Sequence, residues 1–112
     1  MKDKTKNFVW ISFDLGVQGD YESLYRWLDA HDAKECGESL AGLWYEHRGN
    51  LLENLKQELG ETLEVNGKTR IYVIRKESGK MKGRFIFGRR SRPPWSGLAL
   101  KQDEGEDEDY GT

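Results

Sequence analysis

The sequence predicts an α+β domain: an antiparallel sheet with two helices on one face and an extra strand at its C-terminal end. Three observations predict it. Residues Phe8 to Leu15 alternate with the period of two that a strand requires, two later segments repeat apolar residues at helical spacing, and short β-branched and aromatic runs follow residue 69 between turn residues.

In the first strand, Val9, Ile11, Phe13 and Leu15 fall on one face and Phe8, Trp10, Ser12 and Asp14 on the other, with Gly16 ending the run. Asp20 is placed to cap a helix from Tyr21 to about Ala30, whose Tyr21, Leu24, Tyr25 and Leu28 recur at i, i+3, i+4 and i+7. Gly37 and Gly42 punctuate the next segment, which reads as two short strands around Glu35 to Leu40 and Leu43 to Glu46, or as one bent strand. Asn50 and Glu53 have the spacing of a reciprocal cap before Leu51, Leu52, Leu55 and Leu59, and Gly60 is placed to stop that helix. Asn66-Gly67 suits a tight turn with two positive φ angles, after which Arg70 to Arg75 reads as a buried strand. The turn Glu77-Ser78-Gly79-Lys80 leads to a last strand, Met81 to Phe87. With two strands between residues 35 and 46, the order is the βαββαβ of a ferredoxin-like domain plus one strand. Beyond Gly88, Pro93 and Pro94 rule out a central strand. The expected organisation is a flexible N-terminus (1–7), one ferredoxin-like domain (8–97) and a disordered acidic tail (98–112).

At 112 residues the chain has room for one core and no second domain. The net charge of −2 conceals an asymmetry: six acids and no base fall in residues 102–112, leaving 18 bases against 14 acids, or +4, in residues 1–101. A single cysteine, Cys36, excludes an intramolecular disulfide and points to a reducing, cytoplasmic setting. The N-terminal apolar run is short and broken by Asp14, unlike a signal peptide, and no stretch reaches the roughly 18 apolar residues of a membrane span.

Two constellations carry chemistry. Asp14 ends the first strand, where a carboxylate either satisfies amides of the turn around Gly16 or ligates a hard divalent ion. The second is a run of bases at Arg75, Lys76, Lys80, Lys82, Arg84, Arg89, Arg90 and Arg92, interleaved with Phe85 and Phe87 and followed by Trp95. Bases at this density neutralise phosphates while aromatics stack on unpaired bases; alternatively they protect a sheet edge from self-pairing, with Phe85 and Phe87 sharing a core-facing side. Lys82 to Phe87 has a faint likeness to a ribonucleoprotein motif, although that motif precedes a further helix and strand and here a proline-containing segment follows. Trp10, Trp27, Trp44 and Tyr45 read as core or dimer-interface aromatics. His31, Cys36 and His47 match no zinc spacing. The acidic tail is either a solvated end or a phosphate mimic competing for the basic run.

Ile11-Ser12-Phe13-Asp14-Leu15 resembles the opening of the virulence-associated protein D family and of the related second CRISPR-associated protein family. The resemblance extends more loosely through Leu52 to Leu59 into Thr69 to Ile74, covering about residues 8 to 76, and is loosest at Gly37 to Gly42. It implies a symmetric homodimer in which Asp14 serves as catalytic residue and metal ligand, holding Mg²⁺ or Mn²⁺ for cleavage of RNA or DNA. Independently of the resemblance, the density of the basic run makes Lys80, Lys82, Arg84, Arg89, Arg90 and Arg92 the expected nucleic-acid contacts. The competing expectation is a non-enzymatic regulatory or adaptor module of the same fold that binds a protein partner. Neither expectation involves a membrane.

Overall fold

The computed structural model describes residues 4–99 of the chain. The expected disorder of the acidic tail falls, from residue 100 onward, outside the described residues. Seven elements follow one another: β1 (Thr5–Asp14), α1 (Tyr21–Ala30), β2 (Lys34–Gly37), β3 (Leu40–His47), α2 (Leu51–Thr62), β4 (Arg70–Glu77) and β5 (Lys80–Phe87). The strands form one antiparallel sheet in the order β2-β3-β1-β4-β5.

The alternation of β1 sets the core. Val9, Ile11, Phe13 and Leu15 are buried together with Ala41, Leu43 and Tyr45 of β3, Ile71 and Val73 of β4, and Leu24, Trp27, Leu28, Leu55 and Leu59 of the helices. Both helices therefore close on one side of the sheet. On α1 the buried stripe is Leu24, Trp27 and Leu28, whereas Tyr25 is 52% exposed. Tyr21, Leu24 and Leu28 thus face the core as expected, while Trp27 takes the place expected of Tyr25.

Other expectations need correction. β1 begins at Thr5 rather than Phe8, since Thr5, Lys6 and Asn7 pair with His47, Glu46 and Tyr45, so this part of the N-terminus is held in the sheet. Residues 34–47 are two strands, as the first of the two alternatives had it, but the break falls at Glu38-Ser39 rather than between Leu40 and Leu43. Helix α2 passes through Gly60 to Thr62, and the Phe87 ring lies 3.5 Å from where a Cβ on Gly60 would stand. The N-cap of α2 has the expected bond from the Glu53 amide to Asn50 Oδ1, 2.9 Å. Asn66-Gly67 is not a turn with two positive φ angles; Asn66 Oδ1 instead accepts from the Lys68 amide at 2.7 Å. That turn chemistry appears at Ser78-Gly79, with φ of 52° and 79°, between β4 and β5.

A polar clasp joins α1, β3 and α2. Glu58 accepts from Trp27 Nε1 at 2.6 Å and from the Tyr45 hydroxyl at 3.0 Å, and His31 Nε2 lies 3.4 Å from the same carboxylate. Burial, reinforced by the Glu58 charge, holds the Tyr45 hydroxyl well above its usual pKa. The folded chain thus keeps a proton that the unfolded chain releases above about pH 10, and stability falls as pH rises through that range. Tyr45→Phe is expected to flatten this alkaline loss relative to the unsubstituted chain, while costing about 1.5–3 kcal/mol at neutral pH for a lost bond to a charged acceptor. Urea unfolding at pH 8 and pH 10.5 measures both; parallel pH dependences would contradict it.

Candidate nucleic-acid interface

The face of the sheet opposite the helices carries the even-numbered residues of β1. Paired residues of an antiparallel sheet share a face, so Phe8 lies beside Trp44, Trp10 beside Gly42 and Ile74, Ser12 beside Tyr72, and Asp14 beside Arg70. Phe8 meets Trp10 and Trp44 edge-on, with ring centroids 4.8 and 5.2 Å apart. Two glycines make room for these rings. A Cβ at Gly42 would stand 2.9 Å from the Phe8 ring, and one at Gly83 of β5 would overlap the Tyr72 ring.

A second aromatic group occupies the β4–β5 side. Tyr72 and Phe85 are paired across the strands with centroids 4.8 Å apart. The chain after β5 folds back onto them: Arg70 Nη1 donates to the Ser91 hydroxyl at 3.1 Å, and the Arg90 guanidinium stands 5.7 Å from the Tyr72 centroid and 5.6 Å from that of Phe85. Trp95 is 70% exposed beside them. Ser12, Asp14, Arg70, Tyr72, Phe85, Arg90 and Trp95 border a cavity of about 320 Å³, and a neighbouring one of about 270 Å³ lies between Phe85, Arg90, Pro93 and Trp95.

Phe85 is thus a correction to the expectation that Phe85 and Phe87 share a core-facing side. The pairing shifts register between Ile71 and Tyr72, leaving Ile86 unpaired in a β-bulge. Phe87 packs against the core with Ile71, Ile86 is buried, and Phe85 turns to the open face.

Asp14 sits at the rim of the cavity. Its Oδ1 accepts from the Gly16 amide at 3.1 Å, and its Oδ2 lies 3.3 Å from Arg70 Nη2. No group of three or more His, Cys, Asp or Glu side chains placed to hold a metal ion occurs among the described residues. The bases expected to act together divide. Arg90 stands on the open face. Lys82 and Arg84 pair with Arg75 and Val73 and belong to the helix-side face, with Lys82 bonded to Glu77 at 3.2 Å. Lys80 lies opposite Glu77 at the hairpin end, the Arg89 carbonyl faces Arg70 at 3.4 Å, and Arg92 is exposed. His31, Cys36 and His47 do not converge: His31 joins the Glu58 clasp, Cys36 is exposed on β2, and His47 bonds to Asn7 at 2.7 Å.

Arg70 and Tyr72 were missed as site residues, since a short apolar strand gives no sign of which face is uncovered. The alternation of β1 did carry a signal, because Phe8 and Trp10 share a face with Asp14 and oppose Val9 and Ile11. No helix among the described residues is long and apolar enough to cross a membrane. Comparison with protein-family models, curated proteins and solved structures returned no match.

Proposed function

We propose that the open sheet face binds single-stranded nucleic acid on a ferredoxin-like scaffold. The arrangement β2-β3-β1-β4, antiparallel with both helices on one side, supports the scaffold reading, with β5 added at the β4 edge. The observation that carries the function is the Arg90 guanidinium over Tyr72 and Phe85, with Arg70 and exposed Trp95 adjoining. Cationic groups meet phosphates, and flat aromatic faces accept unpaired bases without regard to sequence. A duplex hides those bases in its stack, so the unpaired strand is the better substrate.

Fluorescence anisotropy of a labelled oligonucleotide at several salt concentrations tests the reading. Log affinity is expected to fall steeply with log salt, and Arg90→Glu to weaken binding about tenfold and lower the slope by about 0.7 per lost phosphate contact. Lys82→Glu, on the opposite face, is expected to do much less. A flat salt response removes nucleic acid from the reading.

Cleavage is the further step that the family resemblance implies, with Asp14 of two copies in a homodimer holding Mg²⁺ or Mn²⁺. A divalent ion there would compete with Arg70 for the same carboxylate oxygen. Labelled RNA and DNA incubated with each ion, beside Asp14→Asn, decide the matter: cleavage confined to the unsubstituted chain supports catalysis, and equal activity or none in both samples rejects it. A protein partner on the same face is the second reading, favoured by Trp44, which is 57% exposed and packed edge-on against Phe8. It predicts a salt-insensitive complex abolished by Trp44→Ala.

A further inference from the structure

We propose that the cavity at the end of β1 selects guanine, with Asp14 as the specificity-determining residue. The inference rests on the single-strand reading above and gives Asp14 a recognition role rather than a catalytic one.

The cavity offers planar walls in Tyr72, Phe85 and Trp95, and positive charge in Arg70 and Arg90. Its volume, about 320 Å³, lies at the lower end of small-ligand sites. Among the described residues, Asp14 is the one carboxylate that borders it. An ionised carboxylate only accepts, and its two oxygens provide about four lone-pair positions. The Gly16 amide takes one on Oδ1 and Arg70 takes one on Oδ2. One position remains on each oxygen, and the Asp14 side chain is 58% exposed.

Two parallel acceptors call for two parallel N–H donors. Guanine alone among the common bases presents them, from its ring N1 and its 2-amino group. Adenine and cytosine set a ring-nitrogen lone pair beside their amino group, which the carboxylate repels. Uracil and thymine place a single N–H between two carbonyl oxygens. Arg70 holds the Asp14 carboxylate in place through its cross-strand pairing, so recognition costs little reordering. Phosphates flanking the bound base meet Arg90, while the base lies against Phe85 or Trp95.

The full chain is titrated with labelled oligouridine octamers carrying one central guanine, inosine or adenine. The guanine octamer is expected to bind about ten- to a hundredfold tighter than the adenine one, as a bidentate base contact provides. Inosine, which lacks the 2-amino group, is expected to fall between them. Asp14→Asn, whose amide offers one acceptor beside a donor, is expected to bring the ratio of guanine to adenine affinity to about one, whatever its effect on the adenine octamer itself. The inosine comparison needs no altered protein and so stands even if that variant folds poorly. Equal affinity for all three octamers overturns the guanine inference and leaves single-strand binding standing, as does a guanine preference that survives Asp14→Asn for the role of Asp14. Absence of binding to every octamer overturns both.

Discussion

Phe85→Ala is expected to lower affinity for single-stranded RNA or DNA about ten- to a hundredfold, the range that loss of one stacking side chain produces. Phe85 supplies a half-buried ring on the open face, paired with Tyr72 and overlain by Arg90. Its removal takes away a stacking surface and leaves the guanidinium with only the Tyr72 ring. The fold loses little, because the edge-on ring pair contributes about 0.5–1.5 kcal/mol beyond its buried area. Phe87→Ala is the contrasting substitution. That ring packs beside Gly60 on the helix side, so its loss lowers the unfolding midpoint and leaves the affinity of the folded protein unchanged. Anisotropy at fixed salt beside thermal unfolding separates the two, and equal losses of affinity in both variants would count against the open face as the binding surface.

Arg75→Met is expected to raise stability by about 1–4 kcal/mol, the gain seen when buried ionic groups give way to apolar side chains of similar volume. Arg75 lies on the helix side of β4, between Val9 and Lys82, with its side chain only 8% exposed. One terminal nitrogen, Nη2, reaches Glu77 at 3.1 Å, but Nε and Nη1 have no hydrogen-bond partner among the described residues. Burying a guanidinium in this half-satisfied state costs desolvation without full return. Lys82 stands opposite Arg75 and also grips Glu77, so the carboxylate keeps a partner when the arginine goes. These two cations, Lys82 first, hold Glu77 below its ordinary pKa. The contribution of Glu77 is therefore present above its unfolded value and fades as pH falls through the folded one, and after Arg75→Met that fade should be shallower. Urea unfolding of the two proteins measures the difference; a lower midpoint for Arg75→Met would show that the guanidinium has partners that stabilise it.

Local rules explain what was legible in advance. The β1 alternation, the Asn50 and Asp20 caps and the Leu stripe of α2 depend on neighbours within a few residues, and each lies where its spacing predicts. Asp14 was legible as a strand-end acid on the same face as Phe8 and Trp10. Its partner Arg70 was not, because the contact spans 56 residues and depends on which strands adjoin β1. The bases Lys80, Lys82, Arg84, Arg89, Arg90 and Arg92, contiguous in sequence, divide between faces for a geometric reason. Closeness in sequence says nothing of facing once a strand alternates, bulges and ends in a chain that folds back over it. Gly60 misled in the same way: glycine stops a helix when the backbone must turn, and here the residues beyond it continue the helix beneath Phe87.

The unpaired Ile86 changes the parity of β5. Upstream of it, the face opposite the helices is counted on odd positions, as at Phe85; downstream, Phe87 is odd as well yet packs on the helix side. One inserted residue thus lets a single eight-residue strand place two phenylalanines two positions apart in different environments, one available to a ligand and one closing the core. A chain with the same aromatic pair and regular pairing would have to give up one of the two, so the capacity of this surface to accept a base is inherited from a counting irregularity in its edge strand.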